Sequence, residues 1–198
     1  LLVLAATDAY RRRPHIAPLL ALPMLGFVWV NLHYGFIFGL GVAGLIAGVE
    51  LLKAWFPIVD DALTPRRAFM LLAASLGAVA VCVVNPQSLR ALTFPFTILD
   101  PESPWKDVLE WQPVELFTDG PLNPALFSWV LLVQVTALVA ALWVARRRVD
   151  VTAVVLAAFT TAMALRARRF IPLCTLVGAP LLAANLALVY ERFAGRAL

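Results

Sequence analysis

Apolar runs of bilayer length recur along this chain, with short clusters of arginine at their ends. Residues 14–32, 34–52, 68–84, 123–145, 151–165 and 170–190 carry almost no charge. About 20 residues of helix cover the ~30 Å hydrocarbon layer, where only helices and closed barrels satisfy their own backbone. The six runs therefore predict an all-α, polytopic transmembrane helix bundle of about six crossings, with 1–198 as a single transmembrane domain. The run at 151–165 is rather short for a crossing. Composition agrees: the chain is 62% hydrophobic and 14% charged, whereas soluble domains run near 45–50% and about 25%. The net charge of +4 does not point to nucleic acid, because most basic residues sit where they would set orientation in a membrane.

Punctuation within the runs is informative. Pro14 follows Arg11-Arg12-Arg13 and suits a helix start, whereas Pro23 lies inside the first run and predicts a kink. The polar break Asn31-Leu32-His33 is the natural hairpin tip between the first two runs. The second run pairs Gly35 with Gly39 and Gly44 with Gly48, a small-xxx-small spacing that lets helices approach closely. Residues 53–67 read as a polar connection, and Asn85-Pro86 ends the third run. Cys82 and Cys174 lie in apolar runs with no CxxC or His spacing around them. They read as small buried hydrophobes, although this topology leaves a disulfide open. Leu1–Ala6 is apolar from its first residue and reads as the tail of an earlier transmembrane helix. The chain is therefore expected to be a C-terminal portion of a longer one.

Counting basic residues orients the bundle. With six crossings, one side collects Arg11, Arg12, Arg13, Lys53, Arg66, Arg67, Arg146, Arg147, Arg148, Arg192 and Arg196. The other collects Arg90, Lys106, Arg166, Arg168 and Arg169, so the first side is expected to be cytoplasmic. Arg166, Arg168 and Arg169 then form a cluster on the side that disfavours it. Binding of an anionic ligand explains such a cluster, since guanidinium forks suit phosphate oxygens. The ordinary alternatives are attraction to lipid headgroups and a fifth segment that never crosses.

The external loop, 85–121, is the longest polar segment. It carries Asp100, Glu102, Asp107, Glu110, Glu115 and Asp119, and six prolines keep it largely irregular. Trp105, Val108 and Leu109 at helical spacing predict a short interfacial helix. A loop this long in a compact chain usually has a function. Glu110, beside Trp111, could act as a base or position a sugar hydroxyl or a divalent cation; otherwise it is an ordinary solvated carboxylate. His33 could hydrogen-bond a substrate or move a proton; otherwise it caps the hairpin, with Trp29 and Tyr34 as interfacial anchors. No HxxxH or HxE spacing supports a zinc-type site.

Together these stretches resemble a family. Trp29-x-Asn31-x-His33-x-Gly35-Phe36, Asn85-Pro86, Glu110-Trp111 and Arg166-x-x-Arg169-Phe170-Ile171-Pro172 are similar, in order and spacing, to motifs of large bacterial membrane proteins. Those proteins are related to glycosyltransferases of the GT-C type. The resemblance implies sugar transfer from a polyprenyl-phosphate donor at the outer face of the bacterial plasma (inner) membrane. It implies that Arg166, Arg168 and Arg169 hold donor phosphate, Arg169 foremost. Asn31 and His33 would line the cavity, and Glu110 would orient the acceptor or a divalent cation. Such enzymes take their base from an acidic residue in an early external loop, which would lie upstream of Leu1.

The rival expectation is a non-catalytic helical subunit of a larger membrane complex, suited by the glycine-rich second run. A transporter is less favoured, because Glu50 is the one carboxylate within a run and it lies near Lys53 at the end of that run. Membrane lipids are partners on every reading.

Overall fold

A computed structural model describes residues 1–56, 62–97 and 102–194. Asp60 and Asp61 of the 53–67 connection, Ile98, Leu99, Asp100 and Pro101 of the 85–121 loop, and Arg196 lie outside the described residues. Eight α-helices occur among the described residues: α1 (Leu2–Arg12), α2 (Ile16–Val30), α3 (Phe36–Trp55), α4 (Pro65–Val81), α5 (Leu89–Thr97), α6 (Ala125–Ala145), α7 (Val151–Arg166) and α8 (Ile171–Ala194). Each of the six apolar runs holds one helix, and no strand is present among the described residues, only an isolated bridge between Gly120 and Asn123. Three helices are long and apolar enough to cross a membrane: Phe36–Trp55, Ala125–Ala145 and Arg168–Ala194, the last being α8 with the turn before it. Ile16–Val30 and Val151–Arg166 are apolar but shorter; fifteen residues of α2 rise about 22 Å, less than a full hydrocarbon layer.

Two local expectations change. The interfacial helix around Trp105–Leu109 is two 3-10 turns, Pro104–Asp107 and Leu109–Trp111, separated by Val108 in extended conformation. Pro113, which lacks an N–H, bars continuation of the second turn. The helix in this loop is instead α5, at the start of it. Lys53, read as part of a polar connection, lies inside α3, because Glu50 one turn earlier gives its ammonium a partner at 3.1 Å. α2 contains Pro23 and continues past it.

Contacts gather into two compact units. The first comprises Leu1–Pro57 and Ala62–Ser103. Here α4 packs on both α2 and α3, and α1 lies against α2 and α3. Without a hydrophobic drive between helices in lipid, close backbone approach and internal hydrogen bonds must supply cohesion. Gly26 gives the approach: a Cβ there would sit 2.7 Å from the Ala78 carbonyl oxygen of α4. Ser75 of α4 donates to the Leu71 carbonyl at 2.9 Å and reaches the Ala43 carbonyl of α3 at 3.4 Å. The fully buried Glu50 carboxylate accepts from Arg11 Nε at 2.6 Å and Lys53 Nζ at 3.1 Å. That arrangement ties the basic end of α1 to α3, and a buried carboxylate stripped of such partners would cost several kcal/mol.

The glycine pattern of α3 divides in two. Gly39 lies under the Trp29 ring, where a Cβ would come within 2.2 Å of it; Gly41, Gly44 and Gly48 have nothing within 4 Å of theirs. The pair Gly35/Gly39 thus serves the α2–α3 hairpin, and the pair Gly44/Gly48 packs against no described residue.

The second unit is built on Pro104–Leu198. α8 packs on both α6 and α7, and Gly178 of α8 admits the Gln134 amide of α6, whose Oε1 would stand 2.5 Å from an added Cβ. Asp150 caps α7 by accepting from Ala153 N at 3.1 Å, as a carboxylate at a helix start should. Cys82 and Cys174, one in each unit, are buried free thiols.

Candidate functional site

Arg166, Arg168 and Arg169 stand at the junction of α7 and α8. Ala167 takes an extended conformation that stops α7, a 3-10 turn follows over Arg168–Phe170, and α8 begins at Ile171. Pro172, in the first turn of α8, lacks only a donor that has no intrahelical acceptor there. The trio therefore sits at the opposite end of α7 from Arg147 and Arg148.

The junction holds the acidic loop by its backbone. Arg168 N donates to the Gln112 carbonyl at 3.1 Å, and Val114 N donates to the Leu165 carbonyl at 3.1 Å. The Arg168 side chain, 8% exposed, completes the grip. Its Nε donates to the Pro113 carbonyl at 3.1 Å and Nη1 to the Pro121 carbonyl at 3.2 Å. Nη2 lies 3.8 Å from the exposed Glu115 carboxylate. Arg168 is thus turned into the protein, bridging two points of the loop. Asn123 tightens the same loop, accepting from Glu115 N at 3.1 Å and donating to the Glu115 and Thr118 carbonyls at 3.0 and 2.6 Å. Ser128 Oγ accepts from Phe117 N at 3.0 Å.

Arg169 is held differently. Its Nη1 lies 3.2 Å from Glu110 Oε1, with side chains 31% and 44% exposed. Its guanidinium carbon lies 4.1 Å from the Trp111 ring centre, and that ring meets Phe170 edge-on at 6.1 Å. An ion pair this exposed is worth about 0–1 kcal/mol, and an exposed cation–π contact about 0.5–1 kcal/mol. Arg169 can therefore trade its carboxylate for another anion at small cost. Arg166 is exposed and makes no hydrogen bond or ion pair with any described residue.

Asn31 and His33 belong to the first unit, in the turn between α2 and α3. Both are exposed. Asn31 Nδ2 donates to the Phe27 carbonyl at 2.8 Å, and His33 Nδ1 accepts from Gly35 N at 2.7 Å. That bond fixes the neutral imidazole as the Nε2–H tautomer, with its remaining N–H as the outward donor. Tyr34 beside it donates to Gln87 Oε1 at 2.9 Å and packs on Phe94 with ring centres 4.5 Å apart. Asn85 serves its own turn: Oδ1 accepts from Gln87 N at 2.7 Å, and Nδ2 donates to the Cys82 carbonyl at the end of α4.

Sequence reasoning singled out Glu110, Arg168 and Arg169, and the structure gathers them at one end of the second unit. It overlooked Asn123, whose place just before Pro124 and the start of α6 marks a structured turn. It also overlooked Gln134, a lone amide within an apolar run. Among the described residues no three His, Cys, Asp or Glu side chains cluster as a metal site. Comparisons with family models, curated proteins and solved structures find no match to this chain.

Proposed function

We propose that this chain is the multi-pass membrane core of a lipid-linked sugar glycosyltransferase acting on the extracytoplasmic face of a bacterial plasma membrane. One observation carries the reading. Glu110-Trp111 and Arg169, far apart in sequence, meet as a half-exposed carboxylate, aromatic face and guanidinium. That surface offers a cation for a donor phosphate, a ring for the face of a sugar or the guanidinium, and a carboxylate for an acceptor hydroxyl or a divalent cation. Arg169 and Arg166 hold phosphate, and electrostatic stabilisation of the departing polyprenyl phosphate is the mechanism such a surface serves. Arg168 positions the loop that presents Glu110 and Trp111. Asn31 and His33, in the turn between α2 and α3 of the first unit, are the remaining polar groups this reading assigns to substrate. Six crossings by α2, α3, α4, α6, α7 and α8 put the cluster opposite the more basic side.

The test is sugar transfer by the intact protein from radiolabelled polyprenyl-phosphate-linked sugars. Loss of transfer in the double variant Arg169→Ala, Glu110→Ala supports the assignment, and unchanged transfer refutes it. The second reading, a non-catalytic helical subunit of a larger membrane complex, draws on Gly41, Gly44 and Gly48, which leave one face of α3 open to a close-packing helix. Constant stoichiometry with other subunits through purification in mild detergent supports that reading; a monomer counts against it.

A further inference from the structure

At the end of the second unit remote from Arg169, the C-terminal ends of α6 and α8 border an open cavity of about 660 Å³. Arg147, Arg148 and Arg192 line it together with Glu191, Trp143 and Leu188. Arg148 Nη2 lies 2.9 Å from Glu191 Oε2, and both side chains are more than half exposed. The Arg192 side chain makes no hydrogen bond or ion pair with any described residue. Trp143 is 83% exposed.

We infer that this cavity binds the phosphate headgroup of an anionic membrane lipid. Three guanidinium groups face one carboxylate. Arg147 is itself partnered, and two helix C-termini add about half a negative charge each, so recognition falls to the guanidinium forks rather than to net charge. Guanidinium forks match phosphate oxygens in pairs, so the lining is suited in geometry as well as in sign. Leu188 adds an apolar wall along which an acyl chain can run, and an exposed tryptophan is the usual companion of a headgroup layer. α6 and α8 are both helices of membrane-crossing length, so their ends fall where headgroups are. The inference rests on that membrane placement and is independent of sugar transfer.

Arginines at a helix end can also act as an orientation signal with no bound ligand. Lysine separates the two roles: it keeps the charge, and hence orientation and general attraction, but lacks the paired fork. The intact protein in mild detergent is offered phosphatidylglycerol and phosphatidylcholine in equal amounts, and retained lipids are counted by native mass spectrometry. Wild type retains phosphatidylglycerol preferentially. The double variant Arg147→Lys, Arg192→Lys retains it roughly tenfold less, the loss of about one charge-assisted hydrogen bond. Leu188→Trp, which narrows the cavity at unchanged charge, lowers retention as well. Arg12→Lys, in the first unit, leaves retention as in wild type. Equal retention of the two lipids, or wild-type retention in the lysine pair, overturns the site. Inorganic phosphate bound without lipid, and with the same dependence on Arg147 and Arg192, overturns a lipid as its source.

Discussion

Two inter-helix turns of this protein carry all its candidate site residues but Glu110, and they are held in different ways. The α2–α3 turn is held from beneath by apolar packing. Phe36, fully buried, clusters with Cys82 and Ala91, and Trp29 lies over Gly39. Its candidate residues, Asn31 and His33, bond to neighbours in sequence, and only the exposed Tyr34 hydroxyl beside them reaches distant chain, at Gln87. The α7–α8 turn is held by polar bonds to distant chain, since Arg168 reaches Pro113 and Pro121 while its amide reaches Gln112. A polar residue above an apolar base can change without disturbing the fold. A polar residue that is itself the tie cannot. This difference separates arginines that hold the loop from those free to hold a ligand.

The largest expected effect is at the polar tie. Arg168→Met keeps much of the side chain's length but loses the bonds from a buried guanidinium to the Pro113 and Pro121 carbonyls, at a cost of about 2–3 kcal/mol. Thermal unfolding of the second unit should fall accordingly, and protease should cut between 112 and 121 before the helices open. Arg168→Lys should recover only part of the loss, because one ammonium cannot span both Pro113 and Pro121. A wild-type melting curve for Arg168→Met would erase the contrast between the turns.

The apolar turn has its own weak point. Gly39→Ala forces the Trp29 ring off α3 and should cost about 1–3 kcal/mol as an overpacked contact. Gly44→Ala, on the open face of the same helix, should be neutral or stabilising by up to about 1 kcal/mol through helix propensity. Equal effects from the two substitutions, measured by unfolding in the same detergent, would mean that Trp29 does not set the hairpin.

The contrast also explains what the sequence disclosed. Six of the eight helices followed from hydrophobic runs, because in such a chain burial in lipid or protein decides where backbone must bond to itself; α5, in the loop read as largely irregular, did not. The Gly35/Gly39 spacing pointed to close packing, yet the same spacing at Gly44/Gly48 meets no described residue. Spacing alone does not name a partner. Arg168 and Arg169 are adjacent and chemically identical, so nothing local distinguishes a guanidinium that ties a loop from one that stays half-exposed. Only the carbonyls of Pro113 and Pro121, some fifty residues away, make that distinction. The apolar spacing of Trp105, Val108 and Leu109 did not make an α-helix, because Val108 is extended and divides the stretch into two 3-10 turns.

A smaller effect on stability is expected at Arg169. Arg169→Ala removes one exposed ion pair and one cation–π contact, together about 1 kcal/mol. Glu110→Ala should remove less, and the double variant should show coupling below about 1 kcal/mol. Melting curves and sugar transfer read together give the decision. A mild loss of stability with abolished transfer marks Arg169 as a ligand contact, whereas parallel losses of both mark it as a second tie like Arg168.

The smallest effect belongs to the tip of the apolar turn. His33→Ala deletes one solvent-exposed hydrogen bond to Gly35 N, which water replaces, so stability should change by less than about 0.5 kcal/mol. Phe36, Trp29 and Gly39 remain to hold the hairpin. That near-silence makes His33 the cleaner functional probe. A drop in transfer at constant melting temperature can come only from its outward Nε2–H or from the shape of the ring. His33→Gln, which also carries an N–H donor, then separates the two: recovery assigns the effect to hydrogen bonding and no recovery to shape. Full transfer by His33→Ala would reduce the residue to a turn cap, leaving the chemistry of this chain to the second unit.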